Sequence, residues 1–310
     1  MKKLCVIGSF NVDIFTTLDR FPMVGESVRT HSFDIFVGGG KGANQAVALG
    51  KLGADVRMVG KLGDRFYGPE YMKVLETNHV KCDTVIIEKD CYPGIAIVAV
   101  DGNSDNILFV YPGANDRVDI PFIESKWDVI SACDIFLFQL EISLEPNLHV
   151  LKKLKALNKL IILDPAPAMK IPQEEVFSCA DYITPNETEL QAFSGIPVND
   201  EEDIRKAAGI LLDRGARTVI AKAGKNGAYI VTRDEFTHIP PFRVKALDPT
   251  AAGDCFNAGF AYSLAEGKDI YESARFANAV AALSTTAVGA QNAMPVLDQV
   301  IEFMKQSDKK

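Results

Sequence analysis

The stretch that decides the fold and the chemistry of this chain runs Leu247-Asp248-Pro249-Thr250-Ala251-Ala252-Gly253-Asp254-Cys255-Phe256-Asn257-Ala258-Gly259. Three residues with little or no side chain precede a carboxylate. An apolar pattern with helical spacing starts directly afterwards, at Phe256, Phe260 and Leu264. The pattern predicts a helix that begins near Gly253 and stops near Gly267. Free N–H groups at a helix start attract anions, and small residues let a phosphate approach them closely.

The carboxylate of Asp254 would lie at the edge of this helix start. A carboxylate beside an anion site is the arrangement that deprotonates a hydroxyl attacking a phosphoryl group. We therefore predict that Asp254 is a general base. The predicted anion hole consists of the backbone amides of Ala251, Ala252 and Gly253. From these residues alone, the alternative is an aspartate that only stabilises the start of a buried helix.

A second motif lies roughly two hundred residues upstream and reads Gly38-Gly39-Gly40-Lys41-Gly42-Ala43-Asn44-Gln45-Ala46. It resembles the N-terminal signature of the ribokinase-like (phosphofructokinase-B type) carbohydrate kinases. The stretch from Asp248 to Gly259 resembles the C-terminal signature of the same family, which usually reads D-T-x-G/A-A-G-D. Two long motifs in the right order make coincidence a poor explanation. The chain departs from the signature at Pro249, where the family usually carries Thr.

The glycine run also allows a different class of protein. It is not a Walker A loop, because Lys41 is followed by Gly42. Gly38, Gly40 and Ala43 do match the dinucleotide fingerprint G-x-G-x-x-A, which keeps a nicotinamide-dependent oxidoreductase as a remote alternative. That fingerprint expects an acid at the end of the next strand, whereas the strand-like residues 56–59 are followed by glycine and lysine.

Composition restricts the partners and the compartment. The chain has 310 residues, a net charge of -8 and a pI of about 5.2, which argues against nucleic acid as the main partner. The sequence shows neither an apolar run of membrane-spanning length nor a signal peptide, so we expect no membrane partner. Its six cysteines are scattered, as in reduced cytoplasmic proteins. Cys255 has no histidine near it in sequence, which makes it a poor candidate nucleophile.

Apolar strands alternate with helical segments along most of the chain, which predicts an α/β fold with a mainly parallel central sheet and helices on both faces. Two strand-rich segments, about 14–37 and 93–112, interrupt this rhythm. Strands are expected at residues 15–18 and 25–36, and a hairpin at 94–111. We interpret these segments as a small β-sheet lid inserted into a single domain covering residues 1–310. The resemblance implies the same lid over the sugar, and a homodimer formed through it.

The predicted sugar site begins with an amide and a carboxylate at alternate positions. In an extended segment, Asn11 and Asp13 point to the same face of the strand. Turn chemistry after a strand is the alternative from the residues alone. The resemblance implies sugar contacts at Asn11, Asp13, Gly40, Lys41, Gly42, Asn44, Glu141 and Asp254.

Asn186 and Glu189 are three apart at a helix start and so share a face, which suits one hydrated cation or, alternatively, helix capping. The resemblance implies that they organise Mg²⁺ through water. It further implies ATP contacts at Asn186, Lys222, Gly224, Lys225, Gly227, Gly253 and Asn278. It also implies a K⁺ site, the monovalent activator, at Asp248, Thr250, Ser284, Ala287, Gly289 and Ala293. An ordinary turn explains the two glycines at 224 and 227 nearly as well.

Taken with its two motifs, the chain is expected to be an ATP-dependent kinase of a small sugar. D-ribose, giving ribose 5-phosphate, is the expected substrate. Deoxyribose, fructose, a ketodeoxy sugar acid or a nucleoside are the alternatives within the family.

Overall fold

The computed structural model describes residues 1–103 and 105–308. Its strands are β1 Leu4–Ile7, β2 Asn11–Thr17, β3 Asp34–Gly39, β4 Val56–Gly63, β5 Val85–Glu88, β6 Gly94–Val100, β7 Asn106–Tyr111, β8 Ile135–Phe138, β9 Leu160–Leu163, β10 Tyr182–Ile183, β11 Val219–Lys222, β12 Ala228–Val231 and β13 Phe236–Ile239. The helices are α1 Lys41–Lys51, α2 Gly68–Thr77, α3 Ile120–Ser125, α4 Trp127–Ser131, α5 Leu144–Ala156, α6 Gln173–Phe177, α7 Glu187–Ser194, α8 Glu201–Asp213, α9 Ala252–Ala265, α10 Ile270–Ser284 and α11 Leu297–Ser307. Short 3₁₀ turns occupy Gly113–Arg117, Gly224–Asn226 and Gln291–Ala293.

Within those described residues, nine strands form the central sheet, in the order β13-β12-β11-β10-β9-β8-β1-β4-β5. Its neighbours pair in parallel except at β12, which is antiparallel to both β11 and β13. The predicted mainly parallel sheet is therefore confirmed.

Helices cover both faces of this sheet. Successive side chains of each strand point to opposite sides, so each strand contributes apolar residues to both helix layers. In β1, Leu4 and Val6 belong to one apolar cluster and Cys5 and Ile7 to the other. The first cluster packs against α1, α9 and α10, and the second against α5, α7 and α8. Every residue of β1 is fully buried, as the continuous apolar run predicts for a strand covered on both faces.

A second, smaller sheet has the order β3-β2-β6-β7. The strands β2 and β6 pair in parallel, and the outer pairs are antiparallel. The hairpin of β6 and β7 is confirmed. The strand expected at 25–36 is wrong for most of its length, since β3 begins only at Asp34. The chain turns here, because the Glu26 amide donates to the Met23 carbonyl and Gly25 adopts a left-handed conformation. This turn keeps the start of the expected strand out of the sheet.

The carboxyl ends of the parallel strands meet at one edge, where ligands bind in folds of this kind. Glu141 follows β8, Asp164 follows β9, Asn186 follows β10 and Lys222 ends β11. The helix predicted near Gly253 is confirmed as α9. Among the helices in the described ranges, none has both the length and the apolar character needed to cross a membrane.

Candidate active site

The first turn of α9 presents a carboxylate and free backbone amides at this edge. Ala251 precedes the helix in a left-handed conformation with φ of 59°, which directs the chain into the turn. The amide of Ala252 donates to the Pro249 carbonyl at 3.1 Å. Across the described chain, the amides of Ala251, Gly253 and Asp254 meet no hydrogen-bond acceptor. They remain available to an anion, whereas the predicted contribution of the Ala252 amide would compete with an existing bond.

Both oxygens of Asp254 are held by side-chain amides from the start of α1. Asn44 donates to Oδ2 at 3.0 Å and Gln45 donates to Oδ1 at 3.2 Å. Burial raises the pKa of Asp254 to about 6, the Lys41 ammonium and the two amides lower it, and the charge of Asp164 raises it. A carboxylate with this pKa is ionised at neutral pH yet is a stronger base than an exposed aspartate.

A buried ion pair lies next to the base. Lys222 Nζ donates to Asp164 Oδ1 at 3.0 Å, and Asp164 Oδ2 accepts from Gln45 at 3.1 Å. A side chain on Gly253 would start 3.5 Å from Lys222 Nζ, so this ammonium faces the start of α9. Burial alone would lower the pKa of Lys41, but several surrounding carboxylates, with Asp254 the strongest, raise it above its usual value. Two cations thus adjoin the proposed phosphoryl position.

The structure brings Asn11 and Asp13 to one face at the base of the small sheet. Two glycines make room for them: a Cβ on Gly94 would lie 2.0 Å from Asn11 Oδ1, and one on Gly39 would lie 2.2 Å from Asp13 Oδ2. Burial, Glu141 and Asp254 together raise the pKa of Asp13 to about 7. Three carboxyl groups, those of Asp13, Glu141 and Asp254, therefore lie close together in this pocket.

Glu141 joins the end of β8 to the start of α1. It accepts from the backbone amide of Lys41 at 2.7 Å and from the Ser9 hydroxyl. The glycine run permits this packing, because a Cβ on Gly40 would lie 2.7 Å from the amide nitrogen of Asn11 and one on Gly42 would lie 2.5 Å from that of Ser9. The predicted sugar residues are thus close together, although the Lys41 side chain also lines the neighbouring cavity.

That cavity has a volume of about 940 Å³ and opens beside Asp254. It is lined by predicted ATP and magnesium residues, namely Asn186, Glu189, Lys222, Gly224, Lys225, Gly227, Gly253 and Asn278. The Asn278 amide donates to the carbonyls of Ile239 and Pro240, which holds the segment that forms one wall. Gly227 has φ of 87°, which turns the chain sharply after β11.

Asn186 and Glu189 form a capping box at the start of α7. The Glu189 amide donates to Asn186 Oδ1 at 2.8 Å, and Glu189 Oε2 accepts from the Asn186 amide at 2.9 Å. Helix capping, the alternative role for these two residues, is therefore observed. The Glu189 carboxylate still lines the cavity. Burial raises the pKa of Glu189. Within the described residues, no cluster of three or more His, Cys, Asp or Glu could hold a metal directly. These groups fit a magnesium ion bound through water and phosphate.

The predicted monovalent-ion residues lie in the loop before α9, at the end of α10 and in the segment that follows it. Asp248 ties them together, since Oδ1 accepts from the Thr250 amide at 2.9 Å and Oδ2 accepts from the Gly289 amide at 2.8 Å. The end of α10 joins them through the Thr285 carbonyl, which accepts from the Asp248 amide. Ser284, Ala287 and Ala293 complete the predicted set along these loops and at the end of α10. Asp248 therefore links the two loops and the end of α10.

Sequence reasoning missed several buried side chains at the site. Asp164 comes directly after β9, at the same edge of the sheet as the other site residues, so its position in the sequence could have marked it as a site residue. Gln45 is part of the glycine motif, but helical spacing alone does not reveal that it points at Asp254. Gln139 and Gln291 come from distant parts of the chain, and only the fold brings them to Gln45 and Asn44. Cys255 is fully buried and burial raises its pKa to about 12, so it is not a nucleophile.

Known proteins resemble the chain over its whole length. The model of the pfkB family carbohydrate kinases matches residues 1–297. A ribokinase of Bacillus subtilis is 39% identical, covering 98% of this chain and all of the relative. A deoxyribokinase of Salmonella typhimurium is 34% identical, covering 98% of this chain and 99% of the relative.

Solved structures agree with these relatives. A ribokinase from Thermotoga maritima superposes with a TM-score of 0.89 at 37% identity, covering 98% of this chain and 100% of the other. A ribokinase from Arabidopsis thaliana, described as complexed with ribose and ATP, gives 0.88 at 31%, covering 98% and 99%. With both signatures gathered around Asp254 and the family model spanning nearly every residue, the chain belongs to the pfkB family of carbohydrate kinases.

Proposed function

We propose that this kinase is a ribokinase, which transfers the terminal phosphoryl group of ATP to the 5-hydroxyl of D-ribose. The observation that carries the proposal is the position of Asp254, which is buried at the start of α9, lines the 940 Å³ cavity and is close enough to Asp13 for its charge to raise the pKa of Asp13. The relatives named as ribokinases support the choice of sugar. Membership of a kinase family also disfavours the nicotinamide-dependent oxidoreductase that the glycine run left open.

In the proposed reaction, Asp254 takes the proton of the sugar 5-hydroxyl. The hydroxyl oxygen forms a bond to the terminal phosphorus of ATP, and the bond from that phosphorus to the ADP oxygen breaks. Asn44 and Gln45 hold the carboxylate in place. The amides of Gly253 and Ala251 donate to the transferring phosphoryl group, and Lys222 faces the same position. The Ala252 amide joins them only if its bond to Pro249 opens.

Magnesium is proposed to reach this site with ATP. Asn186 and Glu189 would hold it through water, and Asp164 lines the same cavity. When bound, a magnesium ion neutralises charge on the phosphate oxygens. The ion pair of Asp164 with Lys222 keeps one of these carboxylates fixed beside the cavity.

Potassium is proposed to bind between the loops that Asp248 joins. Carbonyls of this region, with those of Thr250, Ser284, Ala287, Gly289 and Ala293, would line the ion site. An ion there would order the segment from Asp248 to Gly253, which carries the anion hole. Pro249 is compatible with this proposal, because proline restrains the residue before it to extended backbone.

We propose that residues 1–310 act as one kinase domain whose small sheet is a lid over the sugar. Strand β7 lies at the edge of the small sheet and leaves Leu108, Phe109 and Val110 more than half exposed, on both sides of the strand. A second copy of the chain would cover this apolar edge strand. A homodimer formed through the lid is therefore proposed. A cytoplasmic location is proposed because ATP is the phosphoryl donor and all six cysteines are free.

A deoxyribokinase is the second candidate, and its support is the Salmonella relatives of that name. Asn11 argues against it, since a buried amide left without a hydroxyl partner is costly. A coupled assay of ADP release over ribose, 2-deoxyribose, fructose, a ketodeoxy sugar acid and nucleosides tests the assignment. We expect ribose to give the highest kcat/KM, and a higher value for any other compound would replace it.

A further inference from the structure

One side-chain amide serves two carboxylates at the centre of the molecule. Gln45 is fully buried, and its Nε2 donates to Asp254 Oδ1 at 3.2 Å and to Asp164 Oδ2 at 3.1 Å. Because an ionised carboxylate can only accept, the orientation of this amide is fixed by its partners. Asp254 lies on α9 and Asp164 follows β9, so Gln45 joins the base to a residue of the nucleotide cavity.

The opposite end of the same amide is held by Gln139. Its Nε2 donates to Gln45 Oε1 at 2.7 Å, and its backbone carbonyl accepts from the Asn147 side chain at 2.8 Å. Gly8 is required for this contact, because a Cβ there would lie 2.1 Å from Gln139 Oε1. Gln45 is therefore engaged at both its nitrogen and its oxygen and has little freedom to rotate.

We propose that Gln45, oriented by Gln139, is a positioning residue for phosphoryl transfer. Its amide group donates to both carboxylates at once and aims Asp254 at the hydroxyl. The proposal rests on the proposed role of Asp254 as the base. It adds a link between the proposed base and the proposed nucleotide cavity, since Asp164 is in turn paired with Lys222 on the cavity wall.

The charges around Asp254 determine whether its pKa rises or falls when Gln45 is replaced. The groups that face it are Lys41 from α1, Asp13 from β2, Asp164 after β9 and Cys255 within α9, with Lys222, Glu141 and Glu189 beyond them. A donated hydrogen bond stabilises the ionised carboxylate and lowers its pKa. Loss of the Gln45 donor removes that stabilisation and leaves Asp164 as an unscreened neighbour, so the pKa of Asp254 should rise.

The test uses Gln45→Met, which keeps the length of the side chain and removes its donors. We expect the acid limb of the kcat–pH profile to move up by about one pH unit. The rate at pH 6 should then fall by about fivefold, because the ionised fraction of Asp254 falls from about one half to about one tenth. The rate at pH 8.5 should change little. Gln139→Met should shift the limb in the same direction by a smaller amount. The exposed Gln191→Met makes the same chemical change elsewhere and should leave the profile unchanged.

A second readout separates positioning from general damage. The titration of the Asp254 carboxyl is followed by NMR on protein with labelled aspartate, with Asp254→Asn to assign the signal. A loss of rate that is equal at every pH, with an unmoved Asp254 titration, would overturn the proposal. If Gln45→Met does not fold, an unshifted titration in Gln139→Met has the same meaning. Failure of the proposed base is seen separately, as near-normal turnover of Asp254→Asn.

Discussion

Asn115 donates its side-chain N–H to the Oδ1 of Asn11 over 2.9 Å. The orientation of Asn115 is itself fixed, because its Oδ1 accepts from the backbone amide of Phe10 at 2.9 Å. Asn11 therefore uses its oxygen inside the protein and keeps its Nδ2 for a ligand. The neighbouring carboxylates of Asp13 and Glu141 accept hydrogen bonds when ionised. The proposed sugar site thus places the oriented Asn11 donor beside the acceptors of Asp13 and Glu141.

This arrangement predicts that the enzyme prefers ribose to 2-deoxyribose by at least about tenfold in kcat/KM. A missing hydroxyl leaves the Asn11 donor without a partner. Asn11→Met should narrow the gap, mainly through loss of activity on ribose. Asp13→Ala should impair both pentoses, because a carboxylate accepts from two hydroxyls at once. Initial rates over a range of both sugars measure these effects, and equal use of the two pentoses by the unmutated enzyme would refute the ribose assignment.

Sugar binding should depend on pH through Asp13. Burial and the nearby Glu141 and Asp254 raise its pKa to about 7. The protonated form can no longer accept from two hydroxyls, so affinity is lost as pH falls through that value. Between pH 8 and pH 6 the ionised fraction falls by about tenfold, and the Kd for ribose should rise by a similar factor. Titration calorimetry without ATP measures this dependence. Asp13→Asn should bind weakly at both values, and an equal pH dependence in that variant would assign the effect to another group.

The sequence predicted the parallel sheet, the helix that carries Asp254 and the hairpin of the small sheet. These features depend on local patterns: apolar runs, helical spacing and turns. The strand expected at 25–36 is wrong before Asp34, although the polar residues there are compatible with an exposed strand. Among the described residues, this segment is joined to β2 only by local hydrogen bonds, such as the one from the His31 amide to the Thr17 carbonyl, and not by a continuous ladder. The roles of Gln45, Asn115 and Gln139 were out of reach. Each depends on contacts between residues about a hundred or more positions apart, and amide side chains give no periodic signal.

Replacement of the proposed base should nearly abolish turnover. Asp254→Asn keeps the shape of the side chain but cannot take a proton, and kcat should fall by at least about a hundredfold. ATP binding should stay near normal, because the amides at the start of α9 remain. The kcat from steady-state assays and the Kd for ATP from calorimetry measure the two effects. Circular dichroism confirms that the variant is folded, and a folded variant with near-normal kcat contradicts the mechanism.

Activation by monovalent cations should depend on Asp248. Its two oxygens join the loop that precedes α9 to the loop at Gly289, so the carboxylate holds the same segment that the proposed ion would order. We expect turnover in potassium to exceed that in sodium several-fold at equal ionic strength. The pKa of Asp248 is lowered because hydrogen bonds from Thr250 and Gly289 outweigh its burial, which itself raises the pKa. Asp248 therefore stays ionised and keeps the two loops joined at neutral pH.

Asp248→Ala tests this link because it unties the loops while leaving Pro249 and the carbonyls in the chain. The ratio of rates in potassium and sodium should fall towards one. We also expect potassium to raise the melting temperature of the unmutated enzyme, and Asp248→Ala should lose this increase. Asp298→Ala removes a carboxylate from the start of α11, away from these loops, and should keep both effects. Equal rates in the two salts for the unmutated enzyme would show that no activating ion binds here. An unchanged ratio in Asp248→Ala would show that the ion acts without this carboxylate.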